Sequence, residues 1–154
     1  EAGKIFGVKK EKVPEAAEKL VAEWKEKRKE LEQLKKKIAE KSAGGLEFEN
    51  LRGLKVLVKE ITNADAKQLQ EVSMKLSSAD SVIVLFGTAK EKIFVFGSAG
   101  EKAVAGGVNV GKIVASACQE LGGRGGGREG LAQGTGVDAD KISGVIKKII
   151  SGLK

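Results

Sequence analysis

Residues 122–136 read GGRGGGREGLAQGTG, eight glycines in fifteen positions, and the fold of the second half of the chain turns on this stretch. Such density removes the side chains that keep backbone away from its surroundings, so peptide N–H groups can approach a phosphate closely. Arg124 and Arg128 lie inside it, and a guanidinium grips phosphate bidentately where an ammonium acts as a point charge. Gln133 can read an amide-competent edge of a base or sugar. A flexible linker is the bland alternative, but linkers of this kind are usually rich in serine and lack an apolar insert such as Leu131-Ala132. The stretch is therefore expected to be a glycine-rich loop that meets a polyanion.

Two nucleotide-binding patterns occur here by composition alone. Gly125, Gly127 and Gly130 satisfy G-x-G-x-x-G, but the dinucleotide fingerprint must follow a strand and open a helix, and this stretch follows the helical pattern 110–121. Gly106, Gly111 and Lys112 imitate a P-loop, yet Ile113 stands where Ser or Thr would hold magnesium. The amides from Asn109 to Lys112 still form a positive helix start on which a polymer phosphate could dock.

Outward from the glycines, residues 54–61 (LKVLVKEI), 81–87 (SVIVLFG) and 92–97 (KIFVFG) read as strands, the last two forming a hairpin turned at 89–91. Residues 64–76 carry Leu69, Val72 and Leu76 at helical spacing and should cover one sheet face. Asn109 suits the N-cap of a helix through Leu121. Asp138 or Asp140 suits that of a terminal helix bearing Ile142, Val145, Ile146, Ile149 and Ile150.

The first 43 residues differ in kind. After Pro14, which fits a first helical turn, Ala17, Leu20, Trp24, Leu31, Leu34 and Ile38 alternate spacings of three and four, with Lys27 occupying one core position of the heptad seam. So narrow an apolar stripe cannot stabilise a long helix by itself, so burial must come from a partner. The segment 2–8, with Ile5, Phe6 and Val8, could supply it. The sharper expectation is that two chains pair their seams into a homodimer. Gly44 and Gly45 end the helix as a cap or hinge.

The expected fold class is α+β: a long-helix, coiled-coil-like subdomain (1–43), then a small globular α/β sandwich (44–154) with the glycine-rich loop. The chain has 154 residues and a formal net charge of +7, a bias towards polyanionic partners through phosphate neutralisation. With no histidine and one cysteine, Cys118, a Cys/His zinc site, a Ser-His-Asp triad and a histidine base are excluded within the chain. No catalytic or metal-ligating residue is assigned. The lone cysteine makes a reducing, cytoplasmic setting the default. The apolar runs are too short to span a bilayer. A start at Glu1 rather than methionine suggests a piece of a longer protein.

The 110-residue α/β pattern with GGRGGGREGLAQG between its last two helices resembles the DHH-associated domain, found at the C-terminus of alanyl-tRNA synthetases and in phosphodiesterases and RecJ-like nucleases. The preceding helix, PEAAEKLVAEWKEKRKELEQLKKK, looks like the segment after the editing domain of archaeal-type alanyl-tRNA synthetases. The resemblance implies that the parent ligates alanine to its tRNA with ATP, using magnesium and zinc bound elsewhere. This part would dimerise the enzyme and hold alanine tRNA between the aminoacylation and editing centres, with no cofactor of its own. The family's glycine motif falls on Gly122, Gly123, Gly125, Gly126, Gly127, Ala132, Gln133 and Gly134. The residues expected to meet nucleic acid are Arg124, Arg128, Lys112, Asn109 and Gln133, with the backbone of Gly123, Gly125, Gly126 and Gly127. With no Tyr and few Phe, recognition should rest on shape and backbone rather than stacking. A substrate-binding domain of a DHH-type phosphodiesterase or nuclease, or a purely structural oligomeriser, are the competing readings.

Overall fold

The structure is a computed structural model describing residues 13–43, 46–89 and 92–154, without the side chains of 35, 36 and 38–43. The expectations for 2–8, the Gly44-Gly45 break, the Ile38 side chain and the hairpin tip at 90–91 lie outside the described residues. The chain divides into two compact units, Glu1–Ile38 and Ala39–Lys154.

Helix α1 runs Val13–Ala43 with Pro14 and Glu15 in its first turn, where a missing N–H costs nothing and an acid meets the positive helix end. Its seam is open to solvent: Leu20 is 54 % exposed, Trp24 58 %, Leu31 54 % and Leu34 59 %, while Ala17 is half-buried. The Lys27 ammonium bonds Glu30 of the same helix at 2.9 Å, which raises its pKa by hydrogen bonding and then by charge. Arg28 lies over the Trp24 ring, 5.2 Å from its centroid.

The second unit is a six-stranded mixed sheet in the order β1-β2-β3-β4-β6-β5. The strands are β1 (Glu49–Leu51), β2 (Leu54–Thr62), β3 (Ser81–Ala89), β4 (Lys92–Ala99), β5 (Arg124–Gly127) and β6 (Leu131–Gly136). Only β2 and β3 pair in parallel; every other neighbour is antiparallel. They are joined by α2 (Ala66–Leu76), which starts in a capping box: Asp65 accepts from the Gln68 N–H and the Gln68 side chain accepts from the Asp65 N–H. Side-chain oxygens thereby satisfy two orphan helix donors. Helices α3 (Glu101–Ala105), α4 (Val110–Glu120) and α5 (Ile142–Leu153) follow.

Three layers result. On one face Leu57, Ile61, Ile83, Leu85 and Phe96 pack with Leu69 and Val72 of α2. On the other Val56, Val82, Val84, Ile93 and Val95 pack with Val114 and Cys118 of α4 and Ile142 and Val145 of α5. β3, buried over its first seven residues, is the apolar centre of both, and full burial of a side chain such as Leu85 or Phe86 contributes about 1.5–3 kcal/mol.

The structure corrects two expectations. The terminal helix is not capped by Asp138 or Asp140: a 3-10 turn at Ala139–Lys141 precedes α5 without a side-chain cap bond. The Asp138 carboxylate instead accepts from the Lys141 ammonium at 2.6 Å, the stronger attraction open to it. More consequentially, the glycine stretch is not a loop. It is the β5–β6 hairpin, with β6 paired along β4 and β5 forming the sheet edge.

Helix α4 enforces that geometry. It ends at Gly122, φ +72°, whose N–H bonds Gln119 O at 3.1 Å while Gly123 N–H bonds Cys118 O at 2.8 Å, a paired closure that needs a left-handed residue. The chain re-enters as β5 directly against the helix it has left. A Cβ added at Gly125 would stand 2.6 Å from Cys118 Sγ, and one at Gly134 2.5 Å from the same sulfur. These two glycines leave room for the Cys118 side chain of α4 to lie directly on the hairpin backbone. Gly125→Ala should lower stability by about 1–3 kcal/mol through overpacking. Adding Cys118→Ala should recover part of it, whereas Gly134→Ala, which also meets the Gly125 Cα at 2.5 Å, should resist rescue. Urea denaturation of the single and double variants checks the cycle.

Candidate nucleic-acid interface

Strand register sorts the hairpin residues onto two faces, because side chains alternate along a strand. Gly125 faces Gly134 and Gly127 faces Ala132, and this face lies against α4. Arg124 faces Thr135 and Gly126 faces Gln133, while along β4 Thr135 neighbours Phe94, Gln133 neighbours Phe96 and Leu131 neighbours Ser98. That second face is the one α2 covers further along the sheet, where Ser98 and Ser73 share a 2.6 Å hydroxyl contact. Over β5 and β6 the cover stops: Arg124, Gln133, Thr135 and Leu131 are exposed and Phe94 is half-buried. The product is an open strand face carrying a guanidinium, an amide and a hydroxyl around apolar side chains.

The expected residues therefore do not form one cluster. Arg124 and Gln133 share the open face with the Gly126 backbone; Gly123, Gly125 and Gly127 spend their lack of a Cβ on chain packing. Arg128 lies exposed in the hairpin turn, its N–H on Leu131 O at 2.8 Å. Asn109 and Lys112 belong to the start of α4. Asn109 caps that helix as expected, accepting from Lys112 N–H at 3.0 Å. The helix start is less available to a phosphate than expected: Val110 N–H bonds Glu129 O at 3.0 Å, and the Asn109 amide lies 3.5 Å from the Glu129 carboxylate. Thr135, Leu131 and Phe94 were missed as members of the open face. Their signal was the alternation of Leu131, Gln133 and Thr135 with the small residues Ala132, Gly134 and Gly136.

Beneath the hairpin, Cys118 is buried and free, and burial pushes its thiol up to about 11, so it is a packing residue rather than a nucleophile. Among the described residues no three His, Cys, Asp or Glu side chains gather as metal ligands, and no helix is long and apolar enough to cross a membrane.

Fold and surface define a small three-layer α/β/α module whose edge is a glycine hairpin backed by a helix. A family model described as the DHHA1 domain matches residues 53–154, and the chain belongs to that family. Over 93 % of its length it is 37 % identical to an alanine–tRNA ligase of Methanocorpusculum labreanum, and over 93 % it is 34 % identical to one of Methanobrevibacter smithii. It spans only 15 % and 16 % of those proteins. The C-Ala domain of the Aquifex aeolicus alanyl-tRNA synthetase has a similar fold, with a TM-score of 0.63 at 22 % identity over 70 % of this chain and 98 % of that one.

Because the Asn109 side chain serves the helix, Asn109→Ala should cost about 1 kcal/mol of stability, with Asn109→Ser or Asn109→Asp costing less. Thermal unfolding compared with RNA affinity separates this role from ligand binding: the cap role predicts a lower Tm at unchanged RNA affinity.

Proposed function

We propose that this chain is part of a cytoplasmic alanine–tRNA ligase, in which it holds tRNA on the open face of the β5–β6 hairpin and pairs with a second copy through α1. The observation that carries the reading is the 37 % identity to an alanine–tRNA ligase across 93 % of the chain. The parent reaction joins alanine to tRNA at the expense of ATP, with its magnesium and zinc held by other parts. This part contributes binding without a cofactor. Arg124 and Arg128 neutralise backbone phosphates, and among the described residues neither is paired with a carboxylate. Gln133 and Thr135 supply hydrogen bonds to sugar or base edges, and the rigid backing of α4 fixes their spacing before the RNA arrives, which lowers the ordering cost of binding. The open seam of α1 supports self-association, since a Leu-Trp-Leu-Leu stripe in water is a stable arrangement only against a partner.

Binding of alanine tRNA and of a single-stranded RNA of equal length, at two salt concentrations with mass by light scattering, tests the reading. Preference for folded tRNA by a dimer is expected; preference for the single strand would favour a nuclease-like role, and no binding would leave an oligomeriser. Arg124→Ala with Arg128→Ala should weaken tRNA binding and flatten its salt slope by about two, each phosphate contact contributing about 0.9. Leu31→Glu with Leu34→Glu should give monomers by light scattering with the globular unit still folded; a surviving dimer would place the interface off the seam.

A further inference from the structure

On the face of the sheet opposite Arg124 and Gln133, at its other edge, lies a cleft of about 560 Å³ between the β1–β2 hairpin, the segment joining α3 to α4 and the last turn of α5 at Gly152 and Leu153. Its floor is apolar, from Leu54, Val56, Val108 and Ile113, and its rim carries Arg52, Lys102 and Lys112 with no carboxylate among the lining residues. All three cations are exposed, and among the described residues none is paired with an acid. They come from three elements, so no helix periodicity or local charge run brings them together. Arg52 is held there at a conformational cost: its φ is +51° in the β1–β2 turn, a left-handed state that costs a residue with a Cβ about 1–2 kcal/mol. Three like charges around an apolar floor repel one another, and an anion with an apolar or planar body offsets the repulsion and covers the exposed apolar area. A void of this size is in the range of small-ligand sites, large enough for a phosphate and one base.

We propose that this cleft is a second RNA site, taking one unpaired nucleotide with its phosphate on Arg52, Lys102 and Lys112 and its base on Leu54, Val108 and Ile113. It rests on the reading that RNA is the partner, but not on the hairpin face. It also relocates Lys112: this lysine belongs with Arg52 and Lys102, not with Arg124. Contact here would be sequence-tolerant, since aliphatic floor and cationic rim read shape and charge rather than base edges.

Methyl-labelled 154-residue chain titrated with hexa-adenylate tests it. The Leu54, Val108 and Ile113 methyl resonances should move upfield under the ring current of a stacked base, and inorganic phosphate alone should leave them in place. Arg52→Asn, which keeps a left-handed preference, combined with Lys102→Ala should weaken hexa-adenylate binding by about tenfold, the scale of a lost charge-assisted contact. The methyl shifts should persist in the Arg124→Ala, Arg128→Ala protein, so failure of the hairpin reading would leave this result intact. Unmoved methyls at saturating hexa-adenylate, equal shifts with inorganic phosphate, or unchanged affinity in the Arg52, Lys102 variant would each overturn the site.

Discussion

The globular unit depends on one contact, the seating of α4 against the β5–β6 hairpin with Cys118 Sγ where two glycine Cβ atoms would otherwise stand. A helix normally keeps its distance from a sheet because side chains intervene on both sides. Here Gly125 and Gly134 remove them from the sheet side, and Gly111 removes one from the helix side, where a Cβ would stand 2.7 Å from Gly127 O. Dispersion attraction falls off within an ångström of contact distance, so approach this close is rewarded only if no atom is misplaced. The Gly122 closure delivers the chain into β5 at that separation, and the Ala99 N–H to Gly130 O bond of 3.0 Å fixes the far end. The edge strand, with glycine at three of its four positions, is thereby pinned by hydrogen bonds at its flanks and by contact with α4.

Packing on one face leaves the other open. Since Gly125 and Gly134 pack on Cys118 of α4, the side chains left for the proposed RNA contact are those that alternate with them, Arg124, Gln133 and Thr135. Glycine density and phosphate approach were linked in the sequence by a general property of bare backbone, but the bare backbone of Gly125 and Gly134 faces α4, and only Gly126 lies on the open face. On the proposed reading the contacts fall to the neighbouring side chains, with exposed cations on two surfaces: the open hairpin face and the Arg52, Lys102, Lys112 cleft across the sheet.

Much of the scaffold was legible. LKVLVKEI, SVIVLFG and KIFVFG have the β-branched runs of buried strands and are β2, β3 and β4; Leu69, Val72 and Leu76 mark α2; Asn109 marks the start of α4. What was not legible has physical causes. The glycine stretch carries almost no strand propensity, and its pairing is imposed by β4 and α4, which are distant in sequence; only the period-two run from Leu131 to Gly136 betrayed it. Asp138 had the right chemistry for a cap, but a lysine three residues on competed for it. The expected contacts could not be sorted by surface from the sequence: Lys112 and Arg124 are twelve positions apart, and only the sheet register shows that the sheet stands between them. Arg52 and Lys102 were invisible because nothing local distinguishes them from any solvated cation.

In the proposed complex RNA meets the open side of the glycine hairpin and not the side sealed by α4. The most direct measurement is a map of amide and side-chain resonance changes in the whole chain as alanine tRNA is added at moderate salt. Changes are expected at Arg124, Gly126, Gln133 and Thr135, with Cys118 and the core of α4 unmoved. Changes confined to α4, α5 or α1, with β5 and β6 silent, would contradict it.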